Sequence, residues 1–329
     1  MTLCKRLIRS ASCVVAALAL FAAGTGSVAA QGFPERPVRI IVPFAAGGLA
    51  DITFRLVGEK LGPLLGKGVV IENIPGAGGI AAANAALRAK PDGHTLLVIV
   101  NGTAISKSLF KALPYDPVKD LTPVALAAYF DVVVLVKGDG KYKTLGDLLA
   151  AARANPGKLN FASINPGSTQ NLSAELFKST AGLNVAIVPF KGTPDAFGAL
   201  VAGEVDAVFE TFAAARGLLE SGRLRALASS SPKRSGYLPQ VPTVQEAGVP
   251  GYEVVGWNAL AAPAGTPPEV VALLNRHMNT VIAMPEVKKR LLDLGTDAHA
   301  GTPEELRGRL ESDIAKWAAV VRQAGIPQQ

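Results

Sequence analysis

Two stretches, Pro43-Phe44-Ala45-Ala46-Gly47-Gly48-Leu49-Ala50-Asp51 and Pro75-Gly76-Ala77-Gly78-Gly79, decide how this chain reads. Each follows a short β-branched run, Val38 to Val42 and Val69 to Ile71, and precedes residues with helical spacing, so both belong at strand-to-helix junctions. There the unpaired backbone N–H groups and the positive end of the helix dipole point at one spot. Glycine lets a ligand come close to them. The spacing predicts an anion pocket made by backbone, without a basic side chain.

Further apolar β-rich runs follow at Thr95 to Val100, Val132 to Val136, Leu159 to Ala162, Val185 to Val188, Ala207 to Phe209 and Ala226 to Ala228. Amphipathic segments separate them. The class is therefore α/β, with mostly parallel strands covered on both faces. Thr266-Pro267-Pro268-Glu269 and Thr302-Pro303-Glu304-Glu305 each read as a helix start with a Thr cap, proline in the first turn and a carboxylate three residues on. After the second start, Leu306, Leu310, Ile314, Trp317 and Val321 form one apolar stripe, which makes Trp317 a core residue.

Residues 1–30 carry the grammar of an export signal: Lys5, Arg6 and Arg9, an apolar run from Val14 to Ala23, and Val28-Ala29-Ala30 before the expected cut. Both cysteines, Cys4 and Cys13, lie within it, so the mature chain is expected to have no disulfide. Loss of the three basic residues takes the formal charge from +7 to +4. That suits a small anion and, with no basic run, does not indicate nucleic acid. About three hundred remaining residues suggest two domains.

Other chemistries lack their markers. His94, His277 and His299 have no partner at metal spacing, and His94 reads as a turn residue. No Gly-x-Ser-x-Gly elbow is present, and Ser168 has no histidine near it in sequence. Gly66-Lys67 is followed by Gly68 rather than Ser or Thr, and Gly76-Ala77-Gly78-Gly79 lacks a third glycine at dinucleotide spacing. A carboxylate is the better anion than a phosphate, and neither metal nor cofactor is expected.

The ordered motifs Pro43-Phe44-x-x-Gly47-Gly48-x-x-Asp51, Glu72-Asn73-x-Pro75-Gly76-Ala77-Gly78-Gly79, Pro91-Asp92-Gly93-His94-Thr95-Leu96-Leu97, Leu113-Pro114-Tyr115-Asp116-Pro117 and Pro239-Gln240-Val241-Pro242-Thr243 extend over nearly the whole mature chain. Glu246-Ala247-Gly248-x-Pro250-Gly251-Tyr252 and Ala262-Pro263-Ala264-Gly265-Thr266-Pro267 continue them. In these the chain resembles the substrate-binding receptors of tripartite tricarboxylate transporters, the Bug receptors.

The resemblance implies a two-lobed periplasmic binding protein of type II, with lobe 1 from 31–130 and 253–329 and lobe 2 from 131–252. It implies a small organic carboxylate as ligand, membrane permease subunits as partners, a monomer, and no enzymatic activity. By position, Phe44 would wall the pocket, Gly47, Gly48, Gly78 and Gly79 would present backbone donors, and Asp51 would cap the following helix. Asn101 and Thr103 would add polar groups from lobe 1. Ser163, Gly167, Ser168, Thr169, Gln170, Lys191, Gly192 and Thr193 would face the cleft from lobe 2.

The residues alone leave alternatives. Asp51 also reads as a cap only, Phe44 as core, Ser168-Thr169 as the cap of a helix beginning near Asn171, and Lys191 as an exposed charge. Glu210-Thr211 departs from the Asp-Asn common in the resembled family. Glu210 either faces the cleft, favouring an amino- or amide-bearing ligand, or pairs with Lys191 or points away. A sensor for a membrane receptor is the alternative function. An exported enzyme on small organic acids, with Glu210 or Asp51 as acid or base, is the third.

Overall fold

The computed structural model describes residues 32–323 and 326–328, so the export segment and both cysteines lie outside the described residues. The chain opens with β1 (Val38–Val42), α1 (Leu49–Leu65), β2 (Val69–Asn73), a single 3-10 turn (Ala77–Gly79), α2 (Ile80–Leu87), β3 (Thr95–Val100) and α3 (Asn101–Leu109). A long strand, β4 (Leu121–Lys137), then leads into α4 (Leu145–Ala154), β5 (Asn160–Ile164), α5 (Thr169–Thr180), β6 (Ala186–Phe190), α6 (Thr193–Ala202), β7 (Ala207–Thr211), α7 (Phe212–Glu220) and β8 (Leu224–Ser229). The chain returns through β9 (Val255–Pro263), α8 (Pro268–Ala283), α9 (Pro285–Asp293), β10 (Thr296–Ala298) and α10 (Pro303–Gln323).

β4 is the strand on which the two halves are joined. Up to Asp131 it pairs with β9 and β10, whereas from Val132 it pairs with β7 and β8. The first sheet runs β2-β1-β3-β9-β4, and the second continues β4-β7-β5-β6. β1 with β2 and β3, and β5 with β6 and β7, are parallel as expected. Every pairing of β4, and that of β3 with β9, is antiparallel. The expectation of mostly parallel strands is thereby corrected, because β4, the strand common to both sheets, runs against β9 and β10 in the first and against β7 and β8 in the second.

Side-chain alternation places a helix layer on each sheet face. On the first sheet, Ile40, Leu96 and Val98 meet Phe54, Val57 and Leu61 of α1 and Leu274 and Met278 of α8. Their neighbours Ile41, Leu97 and Ile99 meet Ala82 and Ala86 of α2 and Leu306 and Leu310 of α10. On the second sheet, Phe161 and Phe209 meet Leu148 of α4 and Phe177 of α5, while Ala162 and Val208 face Phe197 and Leu200 of α6. Each such buried leucine or phenylalanine contributes about 1.5–3 kcal/mol.

The α10 stripe is shared between the halves: Trp317 and Val321 join the cluster of the second sheet. Its start is the capping box read from sequence, with Glu305 N–H donating to Thr302 Oγ1 at 3.1 Å and Thr302 N–H to Glu305 Oε2 at 2.8 Å. At α8, by contrast, Thr266 is not the cap. Its hydroxyl donates to Pro263 O at 2.8 Å, and Pro267 takes the cap position.

Candidate ligand-binding site

Between β1 and α1, Gly47 turns the chain with φ of +86°, a conformation that favours glycine. Its N–H donates to Asp51 at 2.9 Å, and Asp51 also accepts from Arg55 Nε at 2.9 Å and Asn73 Nδ2 at 3.0 Å. Burial pushes the Asp51 carboxyl up, but the hydrogen bonds from Arg55, Gly47 and Asn73 outweigh it and hold the carboxyl below its usual pKa. Asp51 is not the N-cap expected from sequence. It stands in the first turn of α1 and folds the loop back on itself, while Gly48 occupies the cap with no side-chain partner. The N–H groups opening α1 are therefore left for a ligand.

From the second half come the starts of α5 and α6. Ser168 caps α5, its Oγ accepting from Asn171 N–H at 3.0 Å and donating to Ile164 O at 2.6 Å, which spends the hydroxyl. The helix begins at Thr169, earlier than the expected Asn171. Gly192 caps α6 with no side-chain hydrogen bond. Behind both helix starts lies Glu210, 1% exposed. Its Oε1 accepts from Gln170 Nε2 at 2.8 Å and Thr211 N–H at 2.7 Å, and its Oε2 from Thr193 Oγ1 at 2.6 Å. Burial raises the Glu210 pKa against these three hydrogen bonds. Of the sequence alternatives, no ion pair with Lys191 forms among the described residues; Glu210 sits under the site rather than in its wall.

Two cavities lie between the halves, sharing Phe44, Val100 and Asn165 in their walls. The larger, about 520 Å³, receives the starts of α1 (Gly48, Leu49), α5 (Thr169, Gln170) and α6 (Gly192, Thr193), with the exposed Lys191 beside them. The smaller, about 360 Å³, is bounded by Gly78, Gly79, Gly102, Thr103, Gly167 and Ser168. Here the halves touch. Gly78 N–H donates to Pro166 O at 3.0 Å, and a Cβ added to Gly102 would lie 2.5 Å from Gly167 O.

Several expected donors are thus already engaged. Gly78 N–H is held by Pro166, Gly79 N–H by Gly76 O at 3.1 Å, and Gly47 N–H by Asp51. Gly47, Asp51, Asn101, Ser163 and Glu210 line neither cavity. Asn101 is spent on β9, donating to Val255 O at 2.9 Å and accepting Trp257 N–H at 2.7 Å. Ser163 Oγ accepts from Asn171 Nδ2 at 3.1 Å beneath α5. Thr103 borders the smaller cavity, but its hydroxyl accepts Val100 N–H at 3.2 Å. The remaining predicted residues, Phe44, Gly48, Thr169, Gln170, Lys191, Gly192 and Thr193, border the larger cavity.

Two polar lining residues were missed from sequence, Asn165, which borders both cavities, and Asn258 on β9. The second carries the clearer mark of a site. It is 1% exposed and lines the larger cavity, and its Nδ2 has no hydrogen-bond partner. An unpaired buried donor costs about 1–3 kcal/mol, which a ligand acceptor would offset. The signal was a lone polar side chain inside the apolar run Val254 to Ala262. Among the described residues, no group of three or more His, Cys, Asp or Glu is placed to hold a metal ion, and no helix is long and apolar enough to cross a membrane.

Comparison with known proteins agrees with this architecture. BugT of Bordetella pertussis is 35% identical over 317 residues, covering 95% of this chain and 97% of its own. A solved structure of an R. palustris protein with adipate superposes with a TM-score of 0.86 at 34% identity, over 90% of this chain and 99% of that one. MatC from Rhodopseudomonas palustris with bound malate gives 0.83 at 36% identity, over 88% and 100%. Its fold is that of the two-lobed periplasmic binding proteins. The family sequence model described as tripartite tricarboxylate transporter family receptor matches residues 53–326, and the chain belongs to that family.

Proposed function

We propose that the protein is a periplasmic receptor that captures a small organic carboxylate between two lobes and delivers it to the membrane permease of a tripartite transporter. The observation that carries this reading is the cavity on which α1, α5 and α6 open, two of them with no side-chain cap, together with the unpaired Nδ2 of Asn258. Helix starts from both halves converge on one enclosed point, an arrangement suited to a carboxylate. Relatives with adipate and malate bound support the ligand class. The lobes in this reading are 31–130 with 253–329, and 131–252, and residues 1–30 direct export. The receptor works as a monomer, its lobe rims free for the permease. The two carboxylates weighed as an enzyme's acid or base, Asp51 and Glu210, are both committed to protein hydrogen bonds and border neither cavity, which favours capture over turnover.

The test is a thermal-shift screen of the chain from Gln31 onward against aliphatic and aromatic mono-, di- and tricarboxylates. A ligand that binds only the folded form at a hundred times its Kd adds about 2.7 kcal/mol of stability. At least one acid is expected to raise Tm clearly and to be recovered chemically unchanged. No shift with any acid, in protein that mass spectrometry of the denatured sample shows to be free of a co-purified ligand, would overturn the proposal.

A further inference from the structure

Glu210 divides its hydrogen-bond partners by type. Both N–H donors, Gln170 Nε2 and Thr211 N–H, go to Oε1, whereas Oε2 meets only a hydroxyl, Thr193 Oγ1 at 2.6 Å. A neutral acid needs that division: a carbonyl oxygen accepting N–H groups, and an O–H with one acceptor in reach. Among the described residues no cation pairs with this carboxyl. Lys191 and Asp195, which flank Thr193, are exposed, and Glu175 and Lys178 lie farther along α5. Arg216 of α7 pairs with Glu220, and β4 meets Glu210 with Val133. Full burial without a counter-charge favours the protonated form and raises the Glu210 pKa.

Resting on the receptor reading above, we infer that Glu210 is held as the neutral acid and donates its O–H to Thr193 Oγ1, whose own proton thereby turns into the larger cavity as a donor for the ligand's carboxylate. Thr193 lines that cavity, and its hydroxyl has no other partner among the described residues. The donor stands at the uncapped start of α6. Glu210 lines neither cavity and is a positioning residue, since its protonation decides which way the Thr193 hydroxyl points. Once ionised it would reclaim that proton and set a negative charge behind helix starts that also draw in the ligand. The protonated form binds a carboxylate best, so affinity falls as pH rises through the Glu210 pKa.

Infrared spectra of the ligand-free protein at neutral pH are expected to show the carbonyl band of a protonated carboxyl that Glu210→Gln lacks. The four- and six-carbon α,ω-dicarboxylates, ionised at both ends at neutral pH, are the probes for titration calorimetry. Wild-type affinity is expected to stay level while the band persists and to fall wherever alkaline pH removes it. The amide in Glu210→Gln accepts the same N–H groups and donates to Thr193, so this variant is expected to show no such fall. Thr193→Val should weaken binding about tenfold or more, and Thr193→Ser should restore it to within a few-fold. If Glu210→Gln does not fold, Thr193→Val assigns the band instead, shifting it by removing the acceptor of the acid. Absence of the band, affinity unchanged where the band disappears, or wild-type binding by Thr193→Val would overturn this inference and leave the receptor reading standing. The band without binding of any acid would overturn the receptor reading and, with it, the role of Thr193.

Discussion

Asn258 and Trp257 are neighbours on β9 that point to opposite sides of the first sheet and meet different fates. The Trp257 indole N–H donates to Asp313 at 2.6 Å, whereas Asn258 Nδ2 donates to nothing. Leucine has the branched skeleton of asparagine without its unpaired donor. Asn258→Leu is therefore expected to raise the stability of the ligand-free protein by about 1 kcal/mol in urea unfolding. The same substitution should weaken carboxylate binding about tenfold or more, because it removes a donor aimed at the ligand. A variant that binds as before would remove Asn258 from the site. One that loses stability and affinity together would make it a packing residue. At this scale residue type was legible and commitment was not: the sequence shows Gly47, Asp51 and Asn101, but not that Asp51, Gly47 and β9 consume their hydrogen bonds.

Among the elements, α10 joins the two halves through packing alone. Leu306 and Leu310 enter the core of the first sheet, and Trp317 and Val321, farther along the same stripe, enter that of the second. Trp317→Ala should cost about 3–5 kcal/mol, the usual range for emptying a buried tryptophan site. With Trp317 gone, Trp257 is the remaining tryptophan and its fluorescence reports the first core alone. Urea unfolding is then expected to separate, with the second half losing its circular dichroism before Trp257 is exposed. Coincident transitions with a loss under about 1 kcal/mol would show that α10 does not couple the cores. The periodicity of this helix and its capping box were legible because both are local. β9 was not, since Gly256, Asn258 and three alanines give it weak strand propensity, and pairing with β3 and β4 overrides that. The first half of β4 escaped for the same reason, its strand depending on β9.

For the whole molecule, the distance of closest approach between the halves is set by Gly78, Gly102 and Gly167. Gly78 and Gly167 adopt φ of +61° and +83°, so alanine there would strain the backbone and confound any effect on closure. Gly102 lies in the first turn of α3 without a positive φ, where alanine is tolerated or slightly stabilising. Its added Cβ would nevertheless meet the Gly167 carbonyl at 2.5 Å, a contact with backbone that can be relieved only by parting the halves. A ligand closes a two-lobed receptor only by binding the closed form more tightly. Gly102→Ala is therefore expected to keep its melting temperature within a few degrees and to lose about tenfold or more in affinity, chiefly through faster release. The ligand-induced fall in radius of gyration, measured by small-angle scattering, should shrink with it. Unchanged affinity and unchanged compaction would mean that the approach of Gly102 to Gly167 plays no part in capture. A fall in melting temperature without ligand would instead assign the glycine to the packing of α3.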